Sequence, residues 1–404
     1  MNVLFVHQNF PAQFRHLALR LRTLGHRVVA LHEPDAGLLE GVEGVVYRPA
    51  RGNARQVHPL ALEFETKVLR GEACALRAVE LRRDGFVPQV IFVHPGWGEA
   101  LYLREVFPEA RLVCLMEYYY RARGQDLGFD PEFAAPSFED CARLQTKNAN
   151  LLLAMEAMDR GVSPTHWQAS TLPAWAQART AVIHEGIDTR SVCPDPEASV
   201  TLPERGVHVQ AGDEVLTFVA RNLEPLRGYH TFMRALPQIM AERPQAQVFI
   251  VGGDDVSYGA RPAAGSYRDL YLREVARGLD PARVHFLDQV PRNVFLRLMQ
   301  VSRCHVYLTY PFVLSWSMLE AMSAGALVVG SDTAPVREVI EDGVNGLLVD
   351  FFDSRALAGR VVEALAEPQR FSALRERGRQ TIVERYDLEG VCLPAYLRLL
   401  GELL

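Results

Sequence analysis

The stretch from Thr309 to Gly346 decides the fold: T-Y-P-F-V-L-S-W-S-M-L-E-A-M-S-A-G-A-L-V-V-G-S-D-T-A-P-V-R-E-V-I-E-D-G-V-N-G. It reads as strand end, Pro-containing loop, short helix, glycine stop, buried strand, loop, helix and turn. Val306 to Tyr310 is an apolar run of strand length. Ser315 and Ser317 are both suited to cap a helix whose body is Met318 to Ala324. Gly325 ends that helix, and Leu327 to Gly330 begins the next strand. A strand that leads through a loop into a helix N-terminus is suited to an anion, because free backbone N–H groups and the helix dipole point the same way. Glu320 lies one turn inside the helix, within reach of hydroxyls beside such an anion.

Working outward, apolar runs of strand length alternate with helical stretches over the whole chain. In the first half the expected strands are Val3 to Val6, Val28 to Leu31, Val90 to Val93, Leu112 to Met116 and Leu151 to Ala154. Amphipathic segments such as Gln13 to Leu24 and Leu60 to Arg82 lie between them. In the second half the expected strands are Val215 to Val219, Val248 to Val251, Val284 to Leu287, Val306 to Tyr310, Leu327 to Gly330 and Leu347 to Val349. This alternation predicts an α/β protein with two doubly wound parallel sheets. The junction is expected near Val182 to Asp188, with I-H-E-G-I-D, where a strand gives way to a Gly turn and then to a polar, Pro-containing stretch from Cys193 to Gly212. The expected division is 1–187 and 188–387, with the last helix, 388–404, returning to the first domain.

The segment Thr309 to Gly346 resembles the donor-binding core of family-4 glycosyltransferases of GT-B fold, which use nucleotide-sugars. In that family an acidic residue in the strand–helix loop precedes a second Glu by eight positions. The second matches Glu320, within L-E-A-M-S-A-G; the first falls on Phe312, where this chain departs from the pattern. The similarity is strongest from Leu216 to Asp350. In the first half it is carried by V-H-Q-N-F-P-A-Q-F-R near the start, H-P-G-W-G-E at His94 to Glu99, and E-Y-Y-Y at Glu117 to Tyr120. It implies two Rossmann-like domains facing a central cleft, with an acceptor site in the first and a nucleotide-sugar site in the second.

The resemblance also assigns roles. F-V-A-R-N-L-E-P-L-R-G-Y carries Arg221 and, six residues later, Arg227 before Gly228, where the family has an Arg and a Lys that bind the donor diphosphate. Two fixed cations neutralise a diphosphate and stabilise it as a leaving group. Two arginines in a surface loop can also be read as solvated charges, but their position after a strand, the Gly that follows and the downstream motif favour the diphosphate. Glu320 matches the family's ribose-binding Glu, and Ser317 to Glu320 also reads as a capping box that needs no ligand. Backbone around Ser315, Trp316, Ser317 and Met318 is expected to donate to the diphosphate. Gly252 and Gly253, after a strand, permit close approach or make an ordinary turn. Val290 and Pro291 fall where the family's backbone faces the nucleotide base.

In the first domain His94 ends a strand, where ligands of open α/β sheets gather. The family has a His beside the transferred sugar there; a His satisfied by nearby backbone is the plainer alternative. His7, Asn9 and Glu117 are the acceptor-side candidates. The resemblance implies retention at the anomeric carbon, no metal, and no cofactor beyond the donor. Acceptors in the family's range are saccharides, lipid-linked or protein-linked glycans, and small molecules.

The remaining features bound the reading. The net charge of −6 over 404 residues gives no general attraction to nucleic acid. Local basic patches leave peripheral membrane contact open. No apolar run reaches the roughly 18 residues that a spanning helix needs, and the N-terminus lacks a basic start, so a cytoplasmic protein is expected. The six cysteines form no C-x-x-C pair and read as free thiols. A G-x-G-x-x-G after the first strand, a P-loop and a G-x-S-x-G are all missing. Two other classes fit the fold: a nucleotide-sugar epimerase or hydrolase, and a non-catalytic relative that stabilises a partner transferase. The change at Phe312 favours the latter, and Arg221, Arg227 and Glu320 argue against it.

Overall fold

The central strands are continuous apolar runs because both of their faces are covered, as parallel sheets flanked by helices require. Val3, Leu4, Phe5 and Val6, for example, are fully buried. A computed structural model describes residues 1–404. The chain divides into two compact units, Met1–Gly186 with Glu389–Leu404, and Ile187–Leu388.

The first unit holds β1 (Asn2–Val6), β2 (Arg27–His32), β3 (Glu43–Val46), β4 (Val90–Val93), β5 (Arg111–Leu115), β6 (Arg160–Ser163) and β7 (Thr180–Val182). They form one parallel sheet in the order β3-β2-β1-β4-β5-β6-β7. The order reverses direction between β1 and β4, so the connections leaving these strands diverge and open a crevice at their carboxyl ends. His7 follows β1 and His94 follows β4, which puts both at that switch point. The terminal helix, Leu393–Leu403, is part of this unit. Arg20 pairs with Glu389, and Arg111 donates to the Leu403 carbonyl at 3.1 Å.

The second unit holds the hairpin β8 (Ser199–Leu202) and β9 (Val207–Gln210), then β10 (Val215–Asn222), β11 (Gln247–Gly253), β12 (Val284–Phe286), β13 (Cys304–Tyr307), β14 (Leu327–Ser331) and β15 (Leu347–Val349). The main sheet is parallel in the order β12-β11-β10-β13-β14-β15, with its switch point between β10 and β13. No helix is long and apolar enough to cross a membrane.

Three expectations are corrected. Leu151 to Ala154 is not a strand; it lies inside the helix Ala149–Ala157. Leu151, Ala154 and Met155 are buried at helical spacing while Leu152 and Leu153 face outward, and a short apolar run cannot show that period by itself. The strand of that region is β6, nine residues further along from the start of the run. The Cys193 to Gly212 stretch, expected only to be polar, holds the β8–β9 hairpin, across which Val200 and Val209 pair in register and are buried. The helix after β13 begins at Trp316, one turn's fraction earlier than expected, with Ser315 as its cap.

Candidate functional site

In the second unit a cavity of about 450 Å³ opens at the carboxyl ends of β10 and β11 and beside the first turn of the helix Trp316–Ser323. Its walls include Arg221, Gly252, Val290, Ser315, Trp316, Ser317 and Glu320. Seven candidates widely spaced in sequence thus share one space. Arg227, Gly253, Pro291, Phe312 and Met318 are not among its lining residues.

Arg221 leaves the end of β10 exposed to solvent. Arg227 is different. It closes the turn Pro225–Arg227, and its Nη1 donates to the Tyr307 hydroxyl at 3.2 Å, Thr309 Oγ1 at 2.8 Å and the Val313 carbonyl at 2.9 Å. One nitrogen of Arg227 therefore braces the whole loop between β13 and the helix at Trp316. Gly228 follows because its φ is 67° and a Cβ there would sit 2.3 Å from the Leu308 Cβ.

Phe312 is buried. Its ring lies 4.8 Å from that of Tyr258, and the Arg227 guanidinium carbon is 5.7 Å from the Phe312 centroid and 5.9 Å from the Tyr258 centroid. An aromatic pair over a guanidinium thus stands where the family has a carboxylate. The loop bearing Tyr258 is tied down by the buried Glu224, which accepts from the amides of Ser257 and Tyr258 at 3.3 Å.

Ser315, in extended conformation, caps the helix Trp316–Ser323: its Oγ accepts from the Ser317 amide at 3.4 Å. Its own amide donates to the Tyr307 hydroxyl at 2.8 Å. This corrects the capping-box reading of Ser317 and Glu320. Ser317 is already inside the helix, and Glu320 turns to the Arg292 guanidinium, 2.5 Å from its Oε1. Burial pushes the Glu320 carboxyl up from its usual value, and Arg292 pulls against that shift. The Met318 side chain is wholly buried, so its contribution to a ligand is limited to its backbone.

The glycine pair at the end of β11 is explained from within. A Cβ on Gly252 would come within 2.7 Å of the Leu223 side chain and 3.0 Å of the Ala220 carbonyl. On Gly253 it would come within 2.6 Å of Asn222 Oδ1. Close approach is therefore demanded by the neighbouring strand, while Gly252 also borders the cavity. Val290 lines the cavity, and Pro291 caps the helix Arg292–Val301 from outside it.

In the first unit, His7, His94 and Glu117 come together. His94 Nδ1 accepts from the Gly96 amide at 3.1 Å, so the proton of the neutral ring sits on Nε2, 3.4 Å from Glu117 Oε2. Gln13 donates to Glu117 Oε1 at 3.2 Å. Burial raises the Glu117 carboxyl, but the His94 and Gln13 contacts outweigh it and the net shift is downward. His7 lies 5.5 Å from His94 between ring centroids, and Trp97 packs on both, at 4.9 Å and 4.3 Å. His7 Nδ1 accepts from the Asn9 amide at 2.9 Å, while burial and the nearby His94 push its pKa down to about 3. Asn9 itself is exposed. Behind Glu117, Tyr118 donates to Asp126 at 2.9 Å and Tyr120 lies under the Lys147 ammonium at 4.1 Å.

Sequence reasoning missed Arg292, Asp288, Gln289 and Phe295 in the cavity wall, and Gln13 and Trp97 beside His94. For Arg292 a signal existed: a cation at the first position of a helix opposes the helix dipole and so calls for an anionic neighbour. All six cysteines are free.

Two parallel, doubly wound sheets, one with a cavity at its strand–helix switch point, define an open α/β protein whose ligands gather at the carboxyl ends of the strands. Residues 24–192 match the Glycosyl transferase family 4 group, and residues 213–367 match the Glycosyl transferases group 1. The chain belongs to the family-4 glycosyltransferases of GT-B fold. It is 28% identical over 229 residues to D-inositol 3-phosphate glycosyltransferase of Thermobispora bispora, covering 54% of this chain and 51% of that protein. It is 28% identical over 204 residues to the GDP-mannose-dependent alpha-(1-6)-phosphatidylinositol monomannoside mannosyltransferase of Mycolicibacterium smegmatis, covering 50% of this chain and 51% of that protein. The matched regions thus span about half the length of these curated relatives. Among solved structures, sucrose-phosphate synthase of Thermosynechococcus elongatus superposes with a TM-score of 0.72 over 100% of both chains at 19% identity. Anabaena HepE in complex with UDP and glucose gives 0.67 over 99% of this chain and 100% of that one, at 19% identity. These likenesses show the GT-B fold.

Proposed function

We propose that this chain transfers a sugar from a nucleoside diphosphate sugar to an acceptor hydroxyl, with retention at the anomeric carbon and without a metal. The observation that carries the reading is the cavity that joins Arg221, the first turn of the helix at Trp316 and Glu320. A diphosphate needs cationic and N–H donors; Arg221 and the helix N-terminus supply both. Arg227 holds the loop that presents this helix. Glu320 is an acceptor for ribose hydroxyls, and Val290 lies on the side of the base. That one relative is named for GDP-mannose and that HepE was solved with UDP and glucose supports a nucleotide-sugar donor.

In the first unit the ionised Glu117, steadied by His94 and Gln13, is an acceptor for sugar hydroxyls, with His7 and Asn9 at its margin. Departure of the diphosphate is assisted by fixed positive charge rather than by protonation from a side chain. The acceptor is a saccharide, a lipid-linked or protein-linked glycan, or a small molecule, and no cofactor beyond the donor takes part.

The test is a screen of nucleotide-sugars by thermal shift, followed by turnover in chelator and assignment of the product's anomeric configuration by NMR. A bound donor raises the melting temperature by mass action. Inversion, or activity lost in chelator and restored by magnesium or manganese, refutes the corresponding part. The aromatic pair over Arg227 favours one second reading, a relative that binds donors without turning them over. Donor binding with no transfer to any acceptor class supports that reading.

A further inference from the structure

The Arg292–Glu320 pair has an asymmetry that the donor site leaves unexplained. Glu320 is buried, whereas the Arg292 side chain is 60% exposed and both line the same cavity. Arg292 is the first residue of the helix Arg292–Val301, where the dipole disfavours a cation. Its guanidinium also lies over the Phe295 ring, at 5.2 Å, which limits its freedom. A long cation held by an aromatic face against a helix dipole, with its charge delivered to one carboxylate oxygen, is oriented for that oxygen.

We propose that Arg292 is a positioning residue for ribonucleotide recognition: it occupies Oε1 of Glu320, and so keeps the carboxylate turned to offer Oε2 to the cis-diol of a ribose. The proposal rests on the nucleotide reading of the cavity and deepens it. Without Arg292 a buried carboxylate takes up a proton or rotates, and either change removes an acceptor for two hydroxyl donors. Phosphate and base contacts would persist. The consequence is specific: affinity for ribonucleotides falls, and affinity for nucleotides lacking the hydroxyls does not.

The experiment measures calorimetric affinities of UDP, GDP and ADP, then compares the tightest of them with its 2′,3′-dideoxy counterpart. The proteins are the parent, Arg292→Ala, Arg292→Gln and Arg292→Lys, each checked for fold by thermal melting. The parent should prefer the ribonucleotide by about tenfold or more, as one charge-assisted hydrogen bond supplies. Arg292→Ala and Arg292→Gln should bring the two ligands to within about threefold by weakening only the ribonucleotide. Arg292→Lys should restore most of the preference, since an ammonium also pairs with Oε1. Equal weakening of both ligands would mean that Arg292 touches base or phosphate directly, and would overturn the positioning role. An undiminished preference in Arg292→Ala and Arg292→Gln would overturn it too, while leaving the nucleotide reading intact. A parent that binds none of the three nucleotides would overturn the nucleotide reading itself.

Discussion

His94 and Glu117, which follow different strands of the first sheet, meet with Nε2 and Oε2 3.4 Å apart, and the Gly96 amide on Nδ1 fixes which ring nitrogen carries the proton. The pair orients a carboxylate that burial would otherwise tend to protonate. His94→Ala should therefore leave Glu117 poorly held and lower turnover with sugar acceptors by about 10- to 100-fold, the loss of one hydrogen bond to a charged group. His94→Gln keeps a donor near Nε2's place and should lose less. Steady-state kinetics of both variants decide it; full activity in His94→Ala would assign the pair a purely structural role.

Arg221 and Arg227 should separate on stability. Arg221 is exposed at the cavity, so Arg221→Ala should weaken nucleoside diphosphate binding at nearly unchanged melting temperature. Arg227→Ala leaves Thr309 Oγ1 and the Val313 carbonyl without their donor, and should weaken binding and lower stability together, by about 1–3 kcal/mol. Calorimetry beside chemical denaturation checks both. Equal stability losses in the two variants would show that Arg221 is also a brace.

This division was hidden in the sequence. The spacing of Arg221, Arg227 and Gly228 after a strand is visible, but only the fold shows that Arg227 spends one nitrogen on Tyr307, Thr309 and Val313. Long apolar strands such as Val3 to Val6 and Leu327 to Gly330 were legible because both faces of a parallel sheet are buried. The edge strand β3 was not, because an edge strand needs few apolar residues. The helix cap was legible as a serine, but Ser315 and Ser317 are chemically alike. The choice rests on the extended backbone at Ser315. Glu320 was legible by position; Arg292 was legible only as a cation at a helix start, and its pairing with Glu320 was not, since ion pairs between separate helices leave no spacing pattern.

Acid should destabilise the protein before its carboxylates titrate. Burial lowers His7 to about 3, His184 to about 4 and His305 to about 3, from an ordinary 6.5. Above pH 6.5 these rings are neutral in both states and exert no pH effect. As pH falls below 6.5 the unfolded chain takes up protons that the folded chain refuses, so stability declines towards the folded values. Each ring contributes up to about 1.4 kcal/mol per pH unit. His305 is wholly buried, with Nδ1 2.8 Å from Thr217 Oγ1, so His305→Gln should flatten the slope by one proton. Denaturant melts at pH 7.0, 6.0 and 5.5 measure it, and a flat profile in the parent would contradict the buried neutral state.

Phe312 is where the chain parts from its family, and the structure shows what fills the place. The ring is buried against Tyr258 and faces the Arg227 guanidinium, so a carboxylate introduced there would meet a cation directly. Phe312→Glu should therefore fold, at a cost of about 1–3 kcal/mol for the lost aromatic packing, partly offset by the charge pair. The new carboxylate would accept from sugar hydroxyls that a phenyl ring leaves unpaired, each worth about 1–3 kcal/mol when buried. Donors bearing a hydroxyl there should gain relative to donors without one, and the ranking across a panel of nucleotide-sugars should change. Tyr258→Ala serves as the companion variant. It uncovers Phe312 without adding a charge, and should loosen donor discrimination without reversing it. An identical donor ranking in the parent and Phe312→Glu would show that residue 312 does not meet the sugar. A parent that binds donors and transfers none, paired with a Phe312→Glu variant that does transfer, would instead identify the aromatic pair as the feature that silences the site.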